Sequence, residues 1–208
     1  MPELSNLIGF GLIALGLVLT PGPNMIYLIS RSTCQGRRAG LISLGGVALG
    51  FVLYMLCAAF GVTALLMAVP YAYDALRVGG GLYLLWLAWQ TARPGGRSPF
   101  QVRVLPHDSA ARLFTMGLVT NLLNPKIAVM YMSLLPQFID PDRGSVLSQS
   151  LVLGFTQITI SVSVNFMIAV TAGSIAKFLT DRPFWQGVQR WLMGTVLAGL
   201  AIRMVYRP

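Results

Sequence analysis

Lys126 lies inside a long apolar stretch, and Asn121, Asn124 and Pro125 stand just ahead of it. Proline has no backbone N–H and clashes with the carbonyl one turn earlier, and it biases the residue before it away from helical geometry, so Asn124-Pro125 predicts a break in a helix. A second such place is the run Thr20, Pro21, Gly22, Pro23 and Asn24, where two prolines flank a glycine. Breaks release backbone groups that can hold a solute: half-helix N-termini receive a carboxylate, and exposed carbonyls receive an ammonium group. Further along, Gln157, Ser161 and Asn165 recur every four residues and share one face of a helix. These residues are the candidate substrate-binding set. A lone proline in a membrane helix is commonly only a kink, and polar residues there commonly bond to a neighbouring helix. Two features favour binding instead. The interruptions occupy matching places in the two halves of the chain, and no Asp or Glu in any apolar stretch is available to pair with Lys126, which calls for carbonyls or an anionic ligand around it.

The elements that carry these residues follow from composition. Of 208 residues only 10% are charged and 55% are hydrophobic, with mean hydropathy +0.70. A soluble domain has about a quarter charged residues, whereas about 20 consecutive apolar residues cross a bilayer. The chain therefore reads as an all-α membrane protein with about six transmembrane helices, at roughly 7–30, 41–69, 74–92, 113–135, 147–175 and 188–206. The first and fourth are broken. Sliding the chain against itself by 104 residues brings Leu19, Pro21 and Tyr27 onto Leu123, Pro125 and Tyr131, and Gly40, Gly50 and Phe51 onto Gly144, Gly154 and Phe155. Three spans per half insert in opposite senses, which is the inverted-repeat plan of many secondary transporters. The expectation is a single transmembrane domain over 1–208: repeat one about 1–92, a cytoplasmic linker about 93–112, and repeat two about 113–208.

The net charge of +9 is spread through short connections without interleaved aromatics, so it reads as topology signals rather than a nucleic-acid surface. The first, third and fifth connections hold Arg31, Arg37 and Arg38, then Arg93, Arg97, Arg103 and Arg112, then Lys177, Arg182 and Arg190. The opposite side holds Arg77, Arg143, Arg203 and Arg207 beside four acidic residues. Cytoplasmic loops carry the basic excess, which puts both termini outside. Residues 1–6 lack a basic leader, so the first apolar block is expected to remain in the mature protein. Cys34 and Cys57 do not pair or cluster, and His107 stands apart in a polar loop, so neither a metal nor another cofactor is expected. His107 with Asp108 is the only pair that could serve a membrane-embedded enzyme, and adjacent loop residues of this kind are more often solvated or a helix cap. Gly46 and Gly50 form a small-residue face suited to close helix packing and compatible with a homodimer; Tyr54, one turn on, either lines the same cavity or packs.

At these residues the sequence resembles the lysine exporter family, also called the LysE/RhtB family. The resemblance covers essentially the whole chain and rests on Pro-Gly-Pro-Asn at 21–24, the glycine-rich second span ending near Gly61, Gly80 to Leu87, Asn124-Pro125-Lys126 and Leu135-Pro136-Gln137-Phe138. It implies a six-span exporter of amino acids or their derivatives in the bacterial plasma membrane, driven by the proton motive force, with a small amino-acid-like substrate, H+ as coupling ion and no enzymatic activity. Members acting on lysine and arginine carry acidic residues in the second and fourth spans, where this chain has Gly50-Phe51 and Val129-Met130; threonine and homoserine exporters often have an aspartate in the fifth, where this chain has Ser161. A dicationic substrate would lack a counter-charge in the membrane, so a neutral or hydrophilic amino acid of the threonine or homoserine kind is expected ahead of a basic one or a metal ion. The same absence leaves the coupling proton without a carboxylate to carry it.

Overall fold

The computed structural model describes residues 2–20, 22–68 and 107–180 continuously, with isolated positions between 78 and 89 and between 191 and 202. Pro21, most of the expected third and sixth spans, and residues 93–106 of the expected linker lie outside the described residues. Every regular element among those described is helical.

Helix α1, Leu4–Leu19, ends where Thr20 turns extended, its N–H reaching back to the carbonyls of Gly16 and Leu17. Helix α2, Pro23–Gln35, starts with proline at its first position, where the missing N–H costs nothing and the fixed φ suits a helix start. Its axis departs from that of α1 by 52°. Gly36 stops α2 at φ +89°, a left-handed conformation that side chains with a Cβ rarely adopt. Helix α3, Arg37–Ala68, follows, and its Arg37–Gly61 portion is apolar enough to cross a membrane. The second half repeats this order. Helix α4, Ala110–Leu122, is capped by Ser109 Oγ, which accepts the Arg112 N–H. Helix α5, Pro125–Val129, runs on through a widened π turn at Met130–Leu134 and a 3-10 turn at Leu135–Phe138, bent 51° from α4. After the short 3-10 turn Pro141–Arg143 comes helix α6, Val146–Thr180, whose Val146–Ala172 portion is a second unbroken span. Each expected span that falls on described residues is thus a helix or a bent pair; most ends lie one to five residues beyond the expected limits, while the second helix ends at Ala68, one short of 69, because hydropathy marks the apolar window and not the helix end.

The distribution of side chains is inverted relative to a soluble protein. Leu4, Ile8, Leu12, Leu15 and Leu19 form an exposed apolar stripe along α1. On α6 the buried positions recur every four residues as Gln149, Leu153, Gln157, Ser161 and Asn165, four of them polar. Apolar outside and polar inside is what a lipid solvent selects; with two unbroken helices long and apolar enough to cross and two bent apolar pairs beside them, this is a multi-pass membrane protein. The core between the helices centres on Phe10, Phe51, Tyr131, Leu135 and Leu153, with Phe10 edge-on to Phe138 at 5.4 Å. Helix α3 lies against both α4 and α6. Its approach to α4 depends on glycine from both sides: a Cβ on Gly46 would collide with the Phe114 carbonyl, and one on Gly117 with the Ser43 carbonyl. The small-residue face is therefore used within the chain.

Charged clusters tie the two broken pairs together at both ends. At one end Asp108 accepts from Arg31 Nη1 at 2.6 Å and Gln35 Nε2 at 2.9 Å, and meets Arg112 at 3.2 Å. Arg31 also lies over the Tyr27 ring, 5.4 Å from its centroid. At the other end Arg143 meets Glu3 at 3.2 Å and Asp140 at 3.3 Å. The first cluster is closed, with the Arg31 and Asp108 side chains 13% and 7% exposed; the second is open, with Arg143 and Glu3 56% and 47% exposed. The Gln35 hydrogen bond, with Arg112 and Arg31 beside it, holds the Asp108 carboxyl below its ordinary value of 3.8 against the opposing effect of desolvation. A depressed carboxylate contributes stability in full above that ordinary value and loses it as pH falls through the depressed one. Labelling of half-buried Cys34, in the last turn of α2, by a pyridyl disulfide, which protonation keeps reactive in acid, should therefore accelerate relative to a small free thiol at the same pH only in acid below about pH 4. In Asp108→Asn it should be several-fold faster at neutral pH and no longer respond to acid; an unchanged rate in that variant would show that the cluster does not hold the end of α2.

Candidate functional site

The site forms where the two breaks meet. Lys126 is 6% exposed, and its Nζ donates to the Leu17 carbonyl at 2.9 Å and the Thr20 carbonyl at 2.8 Å. These carbonyls lie at the C-terminal end of α1, where the helix dipole is negative and favours a cation, and the Leu17 carbonyl accepts the Thr20 N–H as well. The side chain reaches them across Gly22, where an added Cβ would stand 2.9 Å from Nζ and 3.2 Å from Cε. Thr20, 1% exposed, closes the turn by donating from Oγ1 to the Gly16 carbonyl at 2.9 Å. The other break is sealed by its own asparagine: Asn124 Oδ1 accepts the Lys126 N–H at 3.1 Å, and its carbonyl accepts from Ile127 and Ala128.

Beside Lys126 is a small cavity of about 20 Å³, partly open to the outside. Its polar lining is Asn24, Asn124, Lys126, Gln157, Ser161 and Asn165; its apolar lining is Ala14, Leu17, Val18, Met25, Phe51, Ile127 and Met130. Three of the polar residues are buried with unused hydrogen-bonding capacity. Both amide atoms of Asn24, Nδ2 of Asn124 and Oδ1 of Asn165 have no partner in the protein. The orientation of two of these amides is set by their other ends, because Asn124 Oδ1 takes the Lys126 N–H and Asn165 Nδ2 donates to the Ser161 carbonyl at 2.8 Å. The cavity therefore presents a free donor at Asn124, a free acceptor at Asn165 and both at Asn24. Buried polar atoms left unpaired cost about 1–3 kcal/mol each, a cost that a polar occupant of the cavity would relieve.

The chain matches the LysE type translocator family over residues 15–207. It belongs to that family. Among similar proteins are the leucine efflux protein of Enterobacter sp. (strain 638), 27% identical over 90% of this chain and 89% of that one, and the threonine efflux protein of Salmonella typhi, 24% identical over 90% and 91%. The homoserine/homoserine lactone efflux protein of Salmonella typhimurium (strain LT2) is 31% identical over 78% of each chain. No solved structure matches the chain.

Within this LysE-family chain, the sequence-derived candidates separate into groups. Asn24, Asn124, Lys126, Gln157, Ser161 and Asn165 meet at the cavity, and Thr20 and Gly22 support it through Lys126. Asn121 is fully buried with both amide atoms unpartnered, but it lies against Gly50 and outside the cavity lining. Pro23 and Pro125 are exposed and act by shaping the breaks, and Pro21 lies outside the described residues. Gln157 also serves packing, accepting from the Tyr131 hydroxyl and donating to Ser161 Oγ at 2.8 Å. Tyr54 packs: its hydroxyl donates to the Leu122 carbonyl at 2.8 Å and its ring stacks on Tyr131. The apolar wall, Phe51 and Met130 above all, was invisible in a sequence where every span is apolar. The Arg31–Asp108 cluster was equally hidden, since Arg31 reads only as a topology signal.

Proposed function

We propose that this protein exports a neutral amino acid from a bacterial cytoplasm across the inner membrane, as a secondary transporter working by alternating access and driven by the proton motive force. The observation that carries this reading is the buried cavity with unpaired amide groups of Asn24, Asn124 and Asn165 on its wall. Donors and acceptors on one wall suit the carboxylate and ammonium of a zwitterion, and the apolar wall suits an uncharged side chain. At about 20 Å³ in this conformation the cavity is far smaller than the about 300–1,000 Å³ common for small-ligand sites, so an amino acid enters only as the helices around it move apart, as alternating access requires. Among the described residues no Asp or Glu lines the cavity, so a second positive charge on the substrate would be left without a counter-charge in a low-dielectric site. The names of the leucine, threonine and homoserine efflux proteins agree with such a cargo.

In this reading the chain forms six spans in two inverted halves of three, with the first, third and fifth connections in the cytoplasm and both termini outside. The closed Arg31–Asp108 cluster is then a cytoplasmic gate and the open Arg143–Glu3 cluster its external counterpart. A membrane potential of 100 mV supplies about 2.3 kcal/mol per charge moved, equivalent to a gradient of about fifty-fold if one proton enters per amino acid exported. The test is efflux from cells loaded through dipeptides, with and without the protein. Leucine, threonine or homoserine should leave faster with it, while lysine and arginine should not. A screen of neutral amino acids in which none shows protein-dependent efflux would remove the basis for this function.

A further inference from the structure

We propose that the carbonyls of Leu17 and Thr20 are the ammonium subsite for the exported amino acid, and that Lys126 occupies this subsite between transport events, so that substrate and the lysine's proton bind in alternation. The proposal rests on the reading of the protein as an amino-acid exporter.

The lysine ammonium and the α-ammonium of an amino acid are the same chemical group, and at 2.9 and 2.8 Å Lys126 Nζ sits at the negative end of α1 where such a group is best held. Directly across the break, α2 begins at Gly22, which has no side chain to cap the first amides. Asn24, 6% exposed with both amide atoms unpartnered, lies in that first turn and lines the cavity. Helix amides with a free donor beside them are a receptor for a carboxylate. One break therefore places ammonium-binding carbonyls next to a carboxylate-binding helix end, and an α-amino acid carries these two groups one carbon apart. The second break has no such vacancy, because Asn124 already occupies its amides.

Two cations cannot share the same pair of carbonyls. When the substrate ammonium takes them, Lys126 loses both carbonyls; no Asp or Glu is among the described lining residues, and the substrate's own carboxylate is taken by the α2 amides and Asn24. The titratable side chains facing this region are Tyr54 of α3 and Tyr131 beyond α5, with hydroxyls committed to the Leu122 carbonyl and to Gln157. On α2, Tyr27 is bonded to Ser43 and the Leu113 carbonyl, and Arg31, like Arg112 of α4, is held by Asp108; α1 and the described side chains of α6 carry no titratable group. A buried ammonium without a partner gives up its proton rather than remain charged. The balanced step is loss of one N–H proton from Lys126 to cytoplasmic water as the zwitterion binds. On the outer side the amino acid leaves, the neutral amine takes one proton from external water, and Lys126 returns to the carbonyls. One proton enters per amino acid exported.

The test uses the full chain, purified and reconstituted, with L-leucine, L-threonine and L-homoserine as probes. Binding of the transported probe should release about one proton per site to a pH-indicator dye, and in counterflow the apparent KM should rise about tenfold per unit of falling pH, as a tenfold change in a competing proton requires. Lys126→Arg, which cannot discard its charge, should bind no probe. Lys126→Gln should release no proton, and whatever affinity it retains should be independent of pH. Wild-type protein that exchanges an amino acid without releasing a proton overturns the proposal, as does a Lys126→Gln variant that keeps the tenfold slope. Absence of counterflow with any neutral amino acid would instead overturn the export function itself, so the two failures are distinguishable, and the wild-type proton count decides the matter if either variant fails to fold.

Discussion

Leucine in place of Gly46 or Gly117 should leave no folded protein, seen as loss of the monodisperse peak when the variant is extracted in detergent. The two glycines face opposite ways across the α3–α4 contact, each lying on the other helix's main chain. A Cβ at Gly46 would collide with the Phe114 carbonyl and stand 2.8 Å from the Leu118 nitrogen, and one at Gly117 would collide with the Ser43 carbonyl. These neighbours are backbone held in a hydrogen-bonded helix, so no side chain can turn aside. Overpacking by a methylene or so typically costs about 1–3 kcal/mol, and a branched side chain forces the helices apart along their length against a total stability of about 5–15 kcal/mol. Alanine at either site should lower the melting temperature without abolishing folding. Gly154 provides an internal comparison: its Cβ would meet the flexible Met55 side chain, so Gly154→Ala should cost less than Gly46→Ala. Among the described residues nothing lies within 4 Å of a Cβ at Gly61, so Gly61→Ala should be neutral or stabilising, given about 0.8–1 kcal/mol of helix propensity gained. Equal tolerance of leucine at Gly46 and alanine at Gly61 would mean that the close approach of α3 and α4 does not hold in the membrane.

Asn24→Leu should separate stability from transport. The side chain is buried, and neither amide atom has a partner in the protein, so in the empty state the protein gains nothing from its polarity. Replacing an unsatisfied buried amide with an apolar group of similar volume is close to neutral and sometimes stabilising. The melting temperature of the reconstituted or detergent-held variant should therefore be unchanged or raised. Transport should fall steeply, because a hydrogen bond to a charged substrate group is worth about 1.5–3 kcal/mol, a factor of about 10 to 150 in apparent affinity. Asn121→Leu offers the contrast. Its amide is equally unpartnered but lies outside the cavity and against Gly50, where Oδ1 is 2.6 Å from the place a Cβ would take, so its replacement should reduce stability rather than substrate affinity. A fall in melting temperature for Asn24→Leu, with transport reduced only in proportion to folded protein, would return Asn24 to a structural role.

How much of this was legible before the fold depends on how local each signal is. The breaks at Pro23 and Pro125 were readable because proline acts on its own backbone and the preceding turn, whatever surrounds it. The inward face of α6 was readable because Gln157, Ser161 and Asn165 stand out at helical spacing among apolar residues. For Lys126 the absence of any carboxylate in the spans pointed to carbonyls or an anionic ligand, and the structure places the carbonyls of Leu17 and Thr20 around it. Which carbonyls, however, is a matter of contacts more than 100 positions apart along the chain, on which no local pattern bears.

The sequence by itself determined that the chain lives in lipid, where its described helices run, and where two of them break, because hydropathy and proline geometry are properties of short stretches of chain. Only the tertiary structure decided which polar residues share a cavity, that Asn121 lies outside it, that Asp108 closes one end of the broken pairs, and which glycines seat α3 on α4. Those outcomes depend on which faces of apolar helices meet. In a membrane every face is apolar enough to turn outward, so shape and a few buried hydrogen bonds make the choice.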